Sequence, residues 1–343
     1  MGEGSDAQDI GNRFTGFSRM DPSKKYKKGR RKLLVGTWNV QGWANKALEI
    51  TQQFHRMNLD VLVTSEMKKK GSGCEEVEGT LLFWSGVDKD QRAKAGVGIL
   101  IRKQLKRFIK SWKPVNERII KVELEMYGRE IIILGVHGPT NDSQVQDKEN
   151  FSECLRVNVE EMKGRKEIIL AGDLNGRTGR RIGDTVVGCF GEESINDSGE
   201  RLIEPCELQS LRVLNGFYRH KEIHKFTWTQ ENRGLKSIID YMIMRQKTTI
   251  LVKDVRVKRG TECGSVHRMV IAKLEFPWNG NRRENRQDGE SNVKESKTPE
   301  VKLKKYHLEL LQEERIRALY QSRLDQRLEE FSFDSPEDTY ETT

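Results

Sequence analysis

An acid and an amide stand two residues apart, directly after a run of four apolar residues. The run 168–171 is followed by Gly172, and Asp173 and Asn175 come next. Consecutive apolar residues bounded by a glycine predict a buried strand. Residues i and i+2 of an extended segment point the same way, so this carboxylate and carboxamide can hold an attacking water and a hydrogen-bond acceptor together, which suits hydrolysis. Because Asp, Asn and Gly are also ordinary turn residues, an Asx turn without chemistry is the alternative.

Five more polar residues stand at the ends of predicted strands or, for one of them, within a strand. They are Asn39, Glu66, His137, Asp240 and His267. If the sheets bring these positions together, the set holds a metal-competent carboxylate and an Asp–His pair. A hard divalent cation such as Mg²⁺ takes oxygen ligands and polarises a phosphoryl oxygen, and a histidine that an aspartate orients can act as a base or bind developing charge. The set therefore predicts a site for phosphodiester hydrolysis.

The elements that must position these residues follow from the apolar pattern. Apolar runs predict strands, and apolar spacings of three and four predict helices. The predicted strands are 33–40, 61–64, 81–84, 96–101, 119–126, 130–136, 168–171, 213–214, 225–229, 238–243, 252–257 and 269–276, and the predicted helices are 45–57, 144–162 and 202–208. So many apolar strands with few helices predict one mixed α/β domain over 32–277, in which two sheets pack face to face between helices.

The composition favours an anionic partner and a reducing compartment. The 343-residue chain has a formal net charge of +9 and a pI of about 9.2, and an excess of Lys and Arg is typical of nucleic-acid-binding proteins. Its five cysteines are widely spaced without a CxxC pair, which argues against a disulfide framework and a structural zinc site. There is no apolar run long enough for a membrane span and no apolar core of a secretory signal at the N-terminus. We therefore expect a nuclear or cytoplasmic protein that is neither secreted nor membrane-bound.

Polar and charged segments flank the predicted domain. Residues 1–31 predict a disordered basic arm, which suits phosphate contact or nuclear import. Residues 278–300 predict a polar linker, 301–331 an amphipathic helix, and 332–343 an acidic tail. An apolar stripe on that helix is typical of a surface that docks on a partner or on its own domain. The stripe consists of Ile316, Tyr320, Leu324, Leu328 and Phe331.

Six short motifs follow one another along the chain. They are Thr37-Trp38-Asn39-Val40, Ser65-Glu66, Gly138-Pro139-Thr140, Gly172-Asp173-Leu174-Asn175, Ile239-Asp240-Tyr241 and Ser265-Val266-His267. In these motifs and in their order, the region 33–276 resembles the endonuclease/exonuclease/phosphatase superfamily, which includes deoxyribonuclease I and the apurinic endonucleases. Two further stretches, 196–203 and 224–229, resemble the endonuclease domain of RTE-type LINE retrotransposons and the proteins called craniofacial development protein 2-like.

The resemblance implies a fold, an activity and a cofactor. The fold would be a four-layer αββα sandwich of two mixed β-sheets flanked by helices, as in deoxyribonuclease I. The activity would be cleavage of one DNA strand that depends on Mg²⁺, with Mn²⁺ as an alternative ion. Glu66 would bind the metal, with Asn39 nearby on the metal or on phosphate.

The resemblance also implies roles for the remaining site residues. Asp173 would position or deprotonate the attacking water, and Asn175 would orient the substrate phosphate. Asp240 would hold His267, which would contact the scissile phosphate. His137 stands where the family usually has tyrosine, and it can still donate a hydrogen bond to phosphate.

Besides His137, two further positions depart from the family pattern. Val266 stands where the family has an aspartate that helps to coordinate the metal, and Ser65 replaces a common glutamine. Loss of one such charged group is expected to cost orders of magnitude in rate.

Two residues are candidates for substrate binding. Arg177 belongs to a basic run, 177–181, that together with the run 68–70 flanks two site loops and is expected to contact phosphates; a solvated loop is the alternative. Trp228 is a candidate for contact with a base, with a core position as the more common role.

Three functions follow as hypotheses. The first is a Mg²⁺-dependent DNA endonuclease of retrotransposon type that nicks one strand, weakened by Val266. The second is a decayed or domesticated copy that binds nucleic acid or protein without cutting. The third is a phosphatase acting on small or lipid phosphates, since the same fold carries different activities.

Overall fold

The computed structural model describes residues 32–277, apart from 163 and 165, together with 317 and 321. The predicted basic arm, polar linker and acidic tail lie outside the described residues, and so does the predicted C-terminal helix apart from those two positions. The proposed division of the chain into these segments therefore stays a prediction.

The described residues form fifteen strands, three α-helices and several short 3₁₀ turns. The strands are β1 (Lys32–Asn39), β2 (Val61–Ser65), β3 (Ser72–Val77), β4 (Thr80–Ser85), β5 (Val97–Arg102), β6 (Ile109–Asn116), β7 (Ile119–Met126), β8 (Arg129–His137), β9 (Glu167–Asp173), β10 (Leu211–Val213), β11 (Trp228–Gln230), β12 (Leu235–Ser237), β13 (Asp240–Arg245), β14 (Leu251–Val257) and β15 (Val270–Glu275). The helices are α1 (Ala47–Arg56), α2 (Val145–Glu161) and α3 (Asp197–Leu208), and the 3₁₀ turns are Lys103–Phe108, Leu214–Phe217, Glu222–His224 and Glu231–Arg233.

Thirteen of these strands build two mixed sheets. The first sheet has the order β14-β15-β1-β2-β5-β4-β3, and the second has the order β10-β13-β9-β8-β7-β6. One neighbouring pair in each sheet is parallel, β1 with β2 and β8 with β9, and the other pairs are antiparallel. The remaining strands, β11 and β12, form a hairpin of their own.

Three apolar layers hold the sheets and helices together. The inward faces of the two sheets share one core, in which Val35 and Ile99 of the first sheet lie in the same cluster as Ile133 of the second. The outer face of the first sheet packs on Phe54 of α1, and the outer face of the second packs on Leu155 of α2 and on α3. Complete burial of such side chains stabilises the fold by about 1.5–3 kcal/mol each. This arrangement confirms the predicted αββα sandwich of two mixed sheets.

The strand register brings the predicted site positions to one edge of the sandwich. Asn39 lies opposite Ser65 in the parallel pair β1–β2, and His137 lies opposite Asp173 in the parallel pair β8–β9. Asp240 lies opposite Asp173 in the antiparallel pair β9–β13. The carboxyl ends of four strands and the amino end of β13 therefore meet.

Several predicted elements differ from the structure. Helix α3 begins at Asp197, five residues before the predicted start, because the Asn196 side chain caps its polar first turn by accepting a hydrogen bond from Gly199 N. The strand predicted at 225–229 begins only at Trp228, the first residue of β11. Asp240 was expected within a strand, and it is instead the first residue of β13. Among the helices that the structure describes, none is long and apolar enough to span a lipid bilayer.

Candidate active site

Asp173 lies at the centre of the site with both carboxylate oxygens fixed. It ends β9 and is 1% exposed. Its Oδ2 accepts a hydrogen bond from Asn39 Nδ2 at 2.8 Å, and its Oδ1 accepts one from Asn175 N at 2.9 Å. Asp173 N donates to Ser65 Oγ at 3.2 Å. These contacts come from both sheets, so they hold the carboxylate in one orientation.

The Asn39 amide joins this carboxylate to a second one. Asn39 Nδ2 also donates to Glu66 Oε2 at 3.2 Å, while Asn39 Oδ1 accepts from Gln41 N at 3.0 Å. The other oxygen of Glu66 lies 2.9 Å from Lys68 Nζ, and the Glu66 side chain is 23% exposed. The amide therefore turns its nitrogen toward the two acids, and Glu66 is the acid nearer to solvent.

His267 and Asp240 form a buried pair on the other side of Asp173. His267 Nδ1 lies 3.0 Å from Asp240 Oδ2, and its Nε2 lies 3.9 Å from Asp173 Oδ2, beyond hydrogen-bond distance. Asp240 is fully buried, and its N–H donates to Thr227 Oγ1 at 3.1 Å. A buried carboxylate is costly unless it is paired, so the pair accounts for the position of Asp240 among apolar neighbours.

The charges in the site shift one another's protonation. Burial alone would lower the pKa of His267, but the carboxylates of Asp240 and Asp173 raise that pKa to about 9. Burial, together with the neighbouring charge of Asp240, raises the pKa of Asp173. The pKa of Glu66 is lowered, because the contacts with Lys68 and Asn39 outweigh the opposing effect of burial. At neutral pH the site therefore combines a protonated His267 ring with the Asp173 carboxylate, which binds a proton more readily than an ordinary aspartate does.

His137 adds a second buried imidazole. It is 7% exposed, burial lowers its pKa, and its Nδ1 has no hydrogen-bond partner among the described residues. Arg118 Nη1 donates to the carbonyl oxygens of His137 and Gly138, both at 3.2 Å, and Asn175 Nδ2 donates to the same Gly138 oxygen at 3.0 Å. Sequence reasoning missed the contact of Arg118 with these carbonyl oxygens, because Arg118 lies in a turn between two strands and belongs to no motif.

The two predicted substrate-binding residues have different surroundings. Trp228 is half-buried and pairs with the main chain of His267 in an antiparallel bridge. Arg177 is engaged within the protein, since its Nε donates to Ser237 Oγ at 2.8 Å and lies 3.6 Å from Glu192 Oε2. Trp228 thus borders the site directly, whereas Arg177 belongs to a neighbouring network.

The basic runs beside the site are largely paired with groups of the protein itself. Lys68 contacts Glu66, Lys69 contacts Glu75, Lys70 donates to the Lys89 carbonyl, Arg180 contacts Glu193, and Arg181 contacts Asp184 and Glu207. Exposed pairs of this kind are weak, so an anionic polymer is able to compete for the cations.

Comparison with known families gives one match that spans most of the domain. Residues 36–260 match the model described as the Endonuclease/Exonuclease/phosphatase family. The chain belongs to this family. Its members are hydrolytic nucleases and phosphatases, and the nucleases among them generally use divalent metals.

Two relatives of the chain within the family carry the same name. Craniofacial development protein 2 of Bos taurus is 27% identical over 268 residues, which cover 77% of this chain and 45% of the relative. Craniofacial development protein 2 of Tragulus javanicus is 27% identical over 241 residues, 70% of this chain and 42% of the relative. The chain therefore spans less than half the length of these relatives.

Solved structures of DNA-processing enzymes share the fold. The endonuclease domain of TRAS1, a telomere-specific non-LTR retrotransposon, superposes with a TM-score of 0.53 at 16% identity, over 71% of this chain and 99% of that domain. The catalytic domain of Xenopus laevis APE2 gives a TM-score of 0.54 at 14% identity, over 72% of this chain and 94% of that domain. These similarities confirm the predicted deoxyribonuclease I-like architecture.

The donors present fit the divalent metal that the family's nucleases use. Ligand atoms of Asp173, Asp240 and His267 lie within 4.8 Å of one another, and Asp240 and His267 are also hydrogen-bonded to each other. Glu66 and Asp173 both offer carboxylate oxygens around the Asn39 amide. Hard oxygen donors of this kind suit Mg²⁺ or Mn²⁺.

Val266 occupies the surface of the site. The residue is 45% exposed, its N–H donates to Gln41 Oε1 at 3.1 Å, and its carbonyl accepts from Thr229 N at 3.2 Å. The main chain at this position is therefore held firmly, while the aliphatic side chain offers no ligand atom. A carboxylate here would meet solvent without displacing a core residue.

Proposed function

We propose that this chain is a divalent-metal-dependent phosphodiester hydrolase that nicks one strand of DNA. The observation that carries the proposal is the buried Asp173 carboxylate, held between the Asn39–Glu66 contact on one side and the His267–Asp240 pair on the other. This arrangement supports a reaction that needs a base, a cation site and a proton donor within one cleft. We further propose a retrotransposon origin, which the fold shared with the TRAS1 endonuclease domain supports, and action in the nucleus or cytosol.

Asp173 is the proposed general base. Each of its oxygens accepts one hydrogen bond and keeps a lone pair free for a water molecule. Its raised pKa makes it a stronger base than an exposed aspartate. Asp173 takes a proton from the water as the water oxygen bonds to phosphorus, and one P–O ester bond breaks.

His267 is the proposed group that binds the developing negative charge. With a pKa of about 9 it is protonated at neutral pH, and Asp240 engages its Nδ1. The Nε2–H, which has no hydrogen-bond partner in the described part of the chain, is thus free to donate to a phosphate oxygen or to the leaving oxygen. Asn175 and the neutral His137, whose Nδ1 is unpartnered, are proposed to orient the same phosphate.

Glu66 is the proposed ligand of the divalent metal. Asn39 is proposed to hold Glu66 and Asp173 in place, since its amide nitrogen faces both acids. When bound there, Mg²⁺ or Mn²⁺ would supply polarisation of a phosphoryl oxygen. Trp228 and Arg177 are proposed to border the bound strand, with Trp228 nearer to the reacting groups.

A second function, binding of nucleic acid or protein without cleavage, is supported by Val266. An exposed aliphatic side chain at the mouth of an acidic site contributes nothing to metal binding or proton transfer. In this function the protein retains its fold and its binding surface but no longer hydrolyses phosphodiesters. No observation specifically favours a phosphatase acting on small or lipid phosphates. The experiment below therefore includes inositol phosphates as alternative substrates.

The test is nicking of supercoiled plasmid in Mg²⁺. The wild-type protein, Asp173→Ala and Val266→Asp are compared at equal concentration, with a chelator as control and thermal unfolding curves to check that each variant is folded. We expect the wild type to nick and Asp173→Ala to lose about 10²- to 10⁴-fold in rate, the usual contribution of a general base. An inositol phosphate panel is run beside the plasmid.

Each outcome decides between the functions. Nicking that persists in the chelator or in folded Asp173→Ala contradicts the proposal. If Val266→Asp nicks and the wild type does not, the result supports the non-catalytic function for the wild type, because one added carboxylate then restores the activity. Hydrolysis of inositol phosphates without DNA cleavage supports the phosphatase.

A further inference from the structure

One hydroxyl group links two site residues that are far apart in the chain. Ser265 Oγ donates to the carbonyl oxygen of Asn39 at 2.6 Å, and it accepts a hydrogen bond from His267 N at 3.1 Å. Asn39 ends β1, whereas His267 lies just before β15. Ser265 is thus bonded to the main chain on both sides of the site.

Other side chains join the same two loops but reach different atoms. Lys46 Nζ donates to the carbonyls of Val40 and Gly264, at 3.0 and 3.2 Å. Gln41 Oε1 accepts from Val266 N at 3.1 Å. Among the described residues, Ser265 is the one whose side chain bonds to the main chains of both Asn39 and His267.

The two residues that Ser265 joins both lie near one carboxylate oxygen of Asp173. The Asn39 amide donates to Asp173 Oδ2 at 2.8 Å, and His267 Nε2 lies 3.9 Å from the same oxygen. The separation of amide and imidazole therefore sets the space in which a water and a phosphate oxygen have to fit.

We propose that Ser265 is a positioning residue, which fixes the His267 imidazole relative to Asn39 and Asp173. The proposal rests on the proposed function, because it assigns Ser265 a part in the same reaction. Displacement of a reacting group by about 1 Å can cost about 10²-fold in rate, so a single lost hydroxyl is expected to matter for turnover rather than for binding.

The test compares Ser265→Ala, which removes the hydroxyl, with Ser265→Thr, which retains it at a partly exposed position. Thr261→Val is the matched control, since the Thr261 hydroxyl lies in the same loop and donates only to the Lys258 carbonyl. We expect Ser265→Ala to lower kcat for nicking by about ten- to a hundredfold with KM for DNA unchanged. Ser265→Thr and Thr261→Val are expected to retain the wild-type kcat.

A second readout works without turnover. The ¹H–¹⁵N correlation of the His267 ring is recorded at one pH in metal-free wild type and in the three variants. We expect the ring signals to move in Ser265→Ala only. Unchanged ring signals in Ser265→Ala, or an equal loss of kcat in Ser265→Thr, overturn the positioning role. A wild-type protein that does not nick contradicts the proposed function instead, and the ring signals then test the positioning role alone.

Discussion

At the scale of single residues, the buried pair of His267 and Asp240 holds a proton that the proposed reaction uses. Asp240 and Asp173 raise the pKa of His267 to about 9, against an ordinary value of 6.5. The pKa of His267 is higher in the folded state than its ordinary value, so the ion pair of His267 with Asp240 stabilises the fold fully below pH 6.5. That stabilisation is lost as the pH rises through about 9. The same titration removes the proposed proton donor.

This coupling predicts a bell-shaped pH profile for nicking. Activity is expected to rise as Asp173, whose pKa is raised, loses its proton, and to fall near pH 9 as His267 becomes neutral. Asp240→Asn removes the nearest charge that stabilises the imidazolium, so it is expected to move the alkaline limb to lower pH by roughly one unit or more. The measurement is kcat/KM against pH for both proteins.

The control for the pH profile is His224→Gln. The His224 ring contacts the Val257 carbonyl rather than either aspartate, so this variant is expected to keep the wild-type profile. An alkaline limb that stays in place in Asp240→Asn contradicts the assignment of that limb to His267.

At the scale of elements, the approach of β8 to β9 requires a glycine beside the catalytic candidate. A Cβ at Gly172 would lie 1.8 Å from the Val136 carbonyl oxygen, a main-chain atom of the paired strand. Gly172→Ala is therefore expected to separate the strands and to destabilise the protein by about 3 kcal/mol, the upper part of the range for overpacking. Urea unfolding measures this free energy.

A glycine in the first sheet provides the comparison. A Cβ at Gly36 would lie 2.9 Å from the ends of the Leu59 and Leu62 side chains, which are able to move, and the Val270 carbonyl oxygen would be at an ordinary contact distance of 3.6 Å. We expect Gly36→Ala to be the milder change. A free energy of unfolding that falls equally in both variants contradicts the account of Gly172.

Some elements of the fold have a recognisable pattern in the sequence, and others have none. Buried strands such as β2 and β9 are continuous apolar runs, so they could be predicted. Strand β3 could not, because it lies at the edge of its sheet with alternate residues exposed and two glutamates in six positions. The start of α3 was missed for a related reason, since a polar first turn held by a cap has no apolar period.

The candidate site was predictable in its residue types but not in its contacts. Polar residues at strand ends identify the set. The antiparallel register that sets Asp240 against Asp173 depends on pairing between distant strands, which no local pattern encodes. The orientation of the Asn39 amide and the hydroxyl contact of Ser265 depend on packing across both sheets, and neither is visible before the fold is known.

At the scale of the whole molecule, the net charge of +9 leads to a prediction about DNA binding. Many cations near the site are paired with acids, whereas Arg92 and Lys94 are exposed and make no ion pair within the described residues. Their loop is bonded to the segment after Glu66, through Lys68 N with the Ala95 carbonyl at 2.8 Å. We therefore expect these two cations to contact a phosphate backbone beside Glu66.

The salt dependence of binding tests this placement. Affinity for a duplex oligonucleotide, measured by fluorescence anisotropy in a chelator, is expected to fall at least about tenfold between 50 and 200 mM salt. Because each phosphate contact contributes about one unit to the slope of log K against log salt, Arg92→Gln/Lys94→Gln is expected to reduce that slope by about two. Lys247→Gln is the control, since this exposed lysine follows the far end of β13 and its removal is expected to leave the slope unchanged. Equal slopes for the double variant and the control would place the bound backbone elsewhere on the molecule.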